Sequence, residues 1–280
     1  MSVRIQAKRY LTGVICAAAF FCAASKAHAG VMYAITGASG ASSSLYALDT
    51  STATATLIGA TGFSHVTGLA VNPVTGDLYG HVSDLFGSGA TQLISINKDT
   101  GAGTVIGNSG AQIPDISFDS SGTLYGWSEA GTTQDDLVTI DLGTGLATLV
   151  GESSTGTART GLAFDGTGSL YMQDIAAIAT VDPTTGLLTS AQTPITGAGS
   201  LDNVLEFDEF DTLFTIDRSG AQSLLYTVDL GASTATLVGD IGIANISALA
   251  YDATVDVPAP GTVAILGLGL LGLGRMIRRG

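Results

Sequence analysis

Cysteine is nearly absent from this chain, and its two copies, Cys16 and Cys22, both lie within the first thirty residues. The part that follows Gly30 therefore has neither disulfides nor thiolate zinc sites. Histidine is equally scarce there, because His65 and His81 are the two copies and they lack the spacing of a metal-binding pair. These absences predict a body that is stabilised by packing and that contains no metal and no other cofactor.

Basic residues are the second shortage. Between Gly30 and Asp256 only Lys98, Arg159 and Arg218 are basic, whereas all 24 acidic residues of the chain lie there, which gives this part a formal charge of −21. Such a surface repels nucleic acid and anionic membranes, so neither is an expected partner of the body. Lysine and glutamate are few, while 38 glycines and many threonines and serines favour short strands and tight turns. The composition therefore predicts an all-β fold.

The first 29 residues form a separate segment. Basic side chains come first, an apolar run extends from Leu11 to Ala24, and Ala27 and Ala29 follow at the spacing of a signal-peptidase site. This order predicts a secretory signal peptide over residues 1–29, cleaved after Ala29 and handled by the secretion translocon. The alternative, a membrane-spanning helix, fits less well because the apolar run is shorter than the roughly 20 residues that a span needs.

The last 24 residues, 257–280, form another separate segment. Its first eighteen residues carry no charge. A basic end follows, with Arg275, Arg278 and Arg279. We expect a transmembrane helix after Pro260 that inserts into the inner membrane and keeps the arginines on the cytoplasmic side. The alternative is an ordinary C-terminal anchor that is never processed.

The order of a proline-bracketed motif, a Gly/Leu-rich apolar run and a basic end resembles the PEP-CTERM sorting signals that exosortases process in Gram-negative bacteria. The motif residues are Val257, Pro258, Ala259 and Pro260, and the namesake motif of the family has Glu in place of Ala259. The resemblance implies an exosortase as a partner and transient anchoring in the inner membrane. It also implies later delivery to the cell surface or extracellular matrix, where exopolysaccharide is a possible ligand.

Internal repeats fill the region between the two end segments. One five-residue phrase recurs at intervals of 47, 46, 43 and 44 residues. Its copies are Gly68–Asn72, Asp115–Asp119, Gly161–Asp165, Val204–Asp208 and Ala248–Asp252. Three further short strands accompany most copies, and four strands in about 45 residues are typical of a β-propeller blade. The repeats predict a five-bladed β-propeller over residues 30–256.

The offset of the repeats predicts how the ring closes. The first repeat lacks its first strand, whereas the last phrase, 246–252, is a first strand with nothing after it. Pairing it with the N-terminal strands predicted at 32–36, 45–49 and 54–58 completes a blade by strand exchange between the two ends and removes an exposed edge. The alternatives, an open solenoid or a β-sandwich, leave this offset unexplained.

The function of the body is less constrained. Its Leu-Tyr pairs and Thr-Gly turns look like those of bacterial extracytoplasmic propellers, a group that includes binding modules and lactonase-like hydrolases. The sequence has no Gly-x-Ser-x-Gly elbow, phosphate loop or zinc-protease motif. It therefore favours a non-enzymatic binding or structural role and assigns no catalytic residue. The alternative is a calcium-dependent hydrolase of the lactonase-like type, with Glu206, Asp115 and Asp119 as candidate calcium ligands.

Glu206 is the outlier of the repeated phrase. The same position in the other repeats holds Ala70, Ser117, Ala163 and Ala250. A carboxylate at a small, buried position costs free energy unless it is paired, so Glu206 is a candidate ligand-binding residue, metal ligand or general base. Alternatively, Arg218 or a backbone amide satisfies it, or the acidic run around it is simply solvated.

A second set of candidates lies two residues after the aromatic position of the second strand of each repeat. His81, Trp127 and Gln173 vary there and would form a polar and aromatic rim for a sugar or another small ligand if they reach one mouth of the ring. The same side chains could instead fill unequal gaps between blades.

An acid or amide ends the third strand of each repeat, at Asp49, Asn97, Asp141, Asp182 and Asp229. Calcium needs six to eight oxygens around one point, whereas these residues are spread around the ring. We therefore expect them to hold turns by accepting hydrogen bonds from backbone amides.

Overall fold

A computed structural model describes residues 29–37, 42–83, 91–129, 135–153, 156, 160–199 and 201–257. These residues form twenty strands and no helix. Within them no helix is long and apolar enough to cross a membrane. The predicted signal peptide before Ala29 and the predicted transmembrane helix after Val257 lie outside the described residues.

The strands, numbered β1 to β20 along the chain, form five antiparallel four-stranded sheets, each of which is one blade. From the axis outward, blade 1 contains β20 (Ile246–Val257), β1 (Ala29–Thr36), β2 (Ser42–Asp49) and β3 (Thr54–Ser64). Blade 2 contains β4 (Val66–Val71), β5 (Leu78–Ser83), β6 (Thr91–Ile96) and β7 (Gly103–Asn108). Blade 3 contains β8 (Ile116–Phe118), β9 (Leu124–Glu129), β10 (Asp135–Ile140) and β11 (Ala147–Glu152). Blade 4 contains β12 (Thr160–Phe164), β13 (Leu170–Asp174), β14 (Ala177–Val181) and β15 (Thr193–Pro194). Blade 5 contains β16 (Leu201–Phe207), β17 (Leu213–Asp217), β18 (Leu224–Asp229) and β19 (Thr234–Asp240). The predicted five-bladed all-β propeller is confirmed.

The two ends of the body close the ring in blade 1. Strand β20 pairs antiparallel with β1, for example through the residue pairs Tyr33↔Ala250 and Ile35↔Ala248. The five inner strands contact one another in the cyclic order β20, β4, β8, β12, β16 and back to β20. The predicted strand exchange between the ends is therefore present, and it removes the free edge that an open array would leave.

The hydrophobic core lies between the blades. Five clusters of buried side chains occur, one at each interface between neighbouring blades, including the interface of blade 5 with blade 1. Trp127 and Leu137 of blade 3, for example, pack with Leu162 and Met172 of blade 4. Successive side chains along a strand point to opposite faces of its sheet. Each blade therefore contributes one face to each of two clusters. The closed ring therefore buries both faces of every blade.

Outer-strand glycines set how closely the blades approach each other. A Cβ atom on Gly59, Gly107 or Gly151 would overlap a carbonyl oxygen in the next blade, in the turn between its third and fourth strands. These oxygens belong to Thr100, Thr144 and Thr185, respectively. Glycine is thus required by blade packing at these three outer-strand positions.

The acids and amide that end the third strands hold turns, as the sequence predicts. Asp141 accepts hydrogen bonds from the amides of Gly143 (3.1 Å) and Thr144 (2.8 Å), and Asn97 accepts from the amides of Asp99 and Thr100, both at 2.9 Å. Asp49, Asp182 and Asp229 make equivalent bonds. The hydroxyl of Thr144 is the main reason that the pKa of Asp141 lies below its usual value.

Candidate functional site at the axial mouth

A cavity of about 260 Å³ opens at the axis, where the C-terminal ends of β4, β8, β12 and β16 meet the middle of β20. We call it the axial mouth. Its lining consists of Ala70, Val71, Pro73, Ser117, Phe118, Ser120, Phe164, Asp165, Gly166, Glu206, Phe207, Asp208, Glu209, Tyr251, Ala253 and Thr254. The charged residues of this lining are all acidic, and every blade contributes to it. The ring therefore gathers residues that lie up to 184 positions apart in the sequence around one concave surface.

Glu206, on β16, is the carboxylate that lies deepest in this lining. Its Oε1 accepts a hydrogen bond of 2.8 Å from the backbone amide of Tyr251 on β20. Burial raises the pKa of Glu206 from 4.5 to about 8, and the Tyr251 amide partly opposes this rise. The side chain can therefore keep its proton at pH values above 4.5, and while it does so it can donate a hydrogen bond as well as accept one.

The bond between Glu206 and Tyr251 has an equivalent on one other inner strand, β8. In blade 3 the hydroxyl oxygen of Ser117, at the same position of the phrase, accepts a hydrogen bond of 3.2 Å from the amide of Phe164 in blade 4. In both cases a side-chain oxygen satisfies an edge amide of the next blade. Because serine makes this bond with a neutral and shorter side chain, linking the blades does not by itself require a glutamate.

Asp115 lies on the axis below the mouth and is buried. Its two carboxylate oxygens accept hydrogen bonds from the amide of Ile116 (2.9 Å) in its own blade and the amide of Leu162 (3.1 Å) in blade 4. Burial raises the pKa of Asp115 well above its usual value, and the negative charge of Glu206 adds to the rise. Its contacts thus make Asp115 an inter-blade link.

Two other acids of the mouth, Asp165 and Asp208, hold their own turns. Asp165 accepts from the amides of Thr167 (2.9 Å) and Ser169 (2.8 Å), and Asp208 accepts from the amides of two residues that follow it. Asp119, one of the candidate calcium ligands, likewise accepts from the amides of Ser121 and Thr123. Among the described residues, no three His, Cys, Asp or Glu side chains come close enough together to hold a metal ion. The arrangement of these acids thus offers no support for a calcium cage.

Aromatic rings form the apolar part of the mouth. Phe118, Phe164 and Phe207 line it, and each packs against the second-strand tyrosine of the preceding blade. The ring centroids of these pairs lie 5.2 to 5.5 Å apart in tilted or edge-on geometry, as aromatic pairs prefer. These contacts fix the walls of the cavity.

The structure places His81, Trp127 and Gln173 between blades, each with no exposed surface, and not at the mouth. His81 Nε2 lies 2.8 Å from the hydroxyl of Ser109, and burial lowers the pKa of His81 to about 4. Gln173 donates to the carbonyl oxygen of Ile175 (2.9 Å) and accepts from the hydroxyl of Thr215 (3.2 Å). These positions fit the alternative that the three side chains fill gaps between blades, and their ligand-binding role stays a prediction.

Tyr251 and Ser120 line the mouth but are not among the site residues predicted from the sequence. Tyr251 occupies the same position in its repeat as Phe118 and Phe164, so the repeat alignment already carried a signal for it. The partner of Glu206 proved to be the Tyr251 amide. That contact joins residues 45 positions apart and leaves no local mark in the sequence.

Comparison with known proteins identifies the tail. Residues 256–279 match the PEP-CTERM protein-sorting motif. This confirms the predicted resemblance and indicates an exported protein that depends on an exosortase for sorting and is anchored transiently in a membrane. No curated protein matches the chain.

Several solved structures resemble the body. A protein of unknown function from Bacteroides caccae superposes with a TM-score of 0.51 at 12% identity, over 80% of this chain and 99% of that one. A chain of a nidogen/laminin complex gives a TM-score of 0.50 at 12% identity, over 80% and 98%. A putative 6-phosphogluconolactonase from Bacteroides fragilis gives 0.45 at 12% identity, over 79% and 98%. At these identities the first two show a shared fold and nothing about activity.

Proposed function

We propose that the body is a non-enzymatic binding module, displayed at the cell surface or in the extracellular matrix, whose axial mouth takes a small hydroxylated ligand or one unit of a polysaccharide. The observation that carries the proposal is Glu206. It places a protonatable carboxyl group in a cavity where the equivalent residue of every other blade is alanine or serine.

The chemistry of the mouth favours a neutral ligand with hydroxyl groups. Glu206 contributes a hydrogen-bond donor while its proton is present, Ser117 and Ser120 contribute hydroxyls, and the phenylalanine rings offer apolar surface. A few directed polar groups among aromatic side chains are typical of small-molecule sites. The acidic rim disfavours anionic ligands. A sugar unit satisfies all these conditions, which fits an association with exopolysaccharide.

Titration calorimetry of the mature protein tests this function. The ligands would be neutral oligosaccharides released from the exopolysaccharide of the producing cells, and we expect saturable binding at pH 7. Glu206→Ala removes one hydrogen bond to the ligand, so affinity should fall roughly tenfold. Glu152→Ala, the same change on the exposed outer strand β11, serves as the matched control and should bind like the unmodified protein.

Two results would contradict the proposal. One is the absence of saturable binding with every neutral oligosaccharide fraction. The other is equal affinity for the unmodified protein and Glu206→Ala, which would place binding outside the mouth. Mass spectrometry of the protein at its destination tests the sorting route separately. If an exosortase removes the tail as we propose, the mature protein should lack Arg275, Arg278 and Arg279.

A further inference from the structure

The seam between β1 and β20 contains a contact at the predicted signal-cleavage site. The backbone amide of Gly30 donates a hydrogen bond of 2.9 Å to the hydroxyl of Tyr251. The carboxylate of Glu209 lies near the same hydroxyl and contributes to the rise of its pKa. The first residue of the predicted mature chain thus lies against the strand that closes the ring.

Gly30 is sterically required at this point. A Cβ atom there would overlap the hydroxyl and ring of Tyr251 and lie 2.6 Å from the carbonyl oxygen of Asp252. The backbone therefore passes directly over the tyrosine, whose hydroxyl is the acceptor for the nitrogen of Gly30. Burial is the first reason that the pKa of Tyr251 rises to about 12, so its hydroxyl stays neutral and able to accept and donate at once.

We propose that removal of the signal peptide converts the Gly30 amide into an ammonium group that docks on the Tyr251 hydroxyl beside Glu209, so that the charge created by N-terminal processing strengthens ring closure. In the hydrolysis, water supplies a hydroxyl to the Ala29 carbonyl carbon and a proton to the Gly30 nitrogen. The resulting amine takes a further proton from solvent at neutral pH, since α-amino groups titrate near 7.7–8.0. This inference rests on cleavage after Ala29 and is independent of ligand binding at the mouth.

The ammonium should bind more strongly than the amide that it replaces. Hydrogen bonds from charged donors contribute about twice as much as neutral ones. The Glu209 carboxylate also favours the charged form of a nearby amine. The sorting motif begins at residue 256, within β20. The seam that the ammonium would strengthen therefore includes the strand that continues into the tail.

Acetylation isolates the charge, because acetyl-Gly30 keeps its N–H but cannot become an ammonium. We would compare the mature protein that begins at Gly30 with the same protein acetylated there. Acetylation should lower the melting temperature at pH 7 by about 2–4 °C. In Tyr251→Phe the effect of acetylation should disappear, whereas Tyr46→Phe, a matched change in the same blade, should preserve it.

A second variant keeps the test decisive if Tyr251→Phe folds poorly. Glu209 is exposed, so Glu209→Gln should fold, and it should reduce the effect of acetylation by removing the carboxylate charge. The proposal is overturned if acetylation leaves the melting temperature unchanged or lowers it equally in all variants. N-terminal sequencing of the exported protein also overturns it if the first residue is not Gly30.

Discussion

Glu206→Gln separates the charge of Glu206 from its hydrogen bond. Glutamine keeps an oxygen that can accept from the Tyr251 amide, but it is neutral at every pH. The folded-state pKa of Glu206 is about 8, above its ordinary value of 4.5. The folded protein therefore retains this proton at pH values where the unfolded chain has lost it. The stability that the proton supplies is fully present below pH 4.5 and is lost as the pH rises through about 8.

The structure sets the size of this effect. The rise from 4.5 to about 8 corresponds to a ceiling of about 5 kcal/mol, since each pKa unit equals 1.36 kcal/mol. Glu206 faces a cavity and is only partly buried by surface area, so solvent screening lowers the expected value to about 2–3 kcal/mol. Glu206→Gln should therefore match the unmodified protein at pH 4.5 and exceed its stability by this amount at pH 9.

Urea denaturation at pH values from 4.5 to 9 measures the difference. Trp127 is the sole tryptophan of the chain and is fully buried between blades 3 and 4, so its fluorescence reports ring opening. Ionisations that both proteins share cancel in the comparison, apart from the coupling between Glu206 and Asp115. Parallel stability curves for the two proteins would refute the argument, as would a variant that is less stable than the unmodified protein at pH 9.

Three further predictions concern packing, the ring seam and metal binding. Gly107→Ala should lower the free energy of unfolding, measured in urea, by about 1–3 kcal/mol, because the new Cβ would overlap the Thr144 carbonyl oxygen. Gly156→Ala should change it little, because a Cβ there would meet no other part of the described chain within 4 Å. Lys98→Met should lower the free energy of unfolding by about 3 kcal/mol, because Lys98 lies 2.6 Å from the buried Asp252 of β20. Adding Asp252→Asn to this variant should recover part of the loss. Equal losses in the single and the double variant would contradict this account. Millimolar calcium should leave the melting temperature unchanged, and a rise of several degrees would support the calcium-dependent alternative.

The sequence contains enough information for the architecture because the repeats are regular. Phrases about 45 residues apart mark equivalent inner strands, and the unpaired phrase at the end identifies the closing strand. Turn residues such as Asn97 act locally and are therefore readable. Blade 4 departs most from the pattern, since its outer strand β15 consists of Thr193 and Pro194 alone, and proline cannot donate to a ladder.

The direction of side chains was harder to predict than the position of strands. Repeat alignment shows that His81, Trp127 and Gln173 are equivalent, but it does not show whether that position faces a mouth or the next blade. This depends on the twist of the sheets and the stacking around the axis, which are properties of the closed ring. Glu206 was recognisable as an exception to its repeat, whereas its partner lies on a strand that reaches it only after closure.

The position of β20 links folding of the body to export. Blade 1 forms only when Ala29–Thr36 and Ile246–Val257 lie on the same side of the membrane, because the two strands pair with each other. Nearly the whole body must therefore cross before the ring can close. The sorting motif begins at residue 256, within the same closing strand. The motif that indicates transient anchoring therefore begins in the strand that completes the propeller.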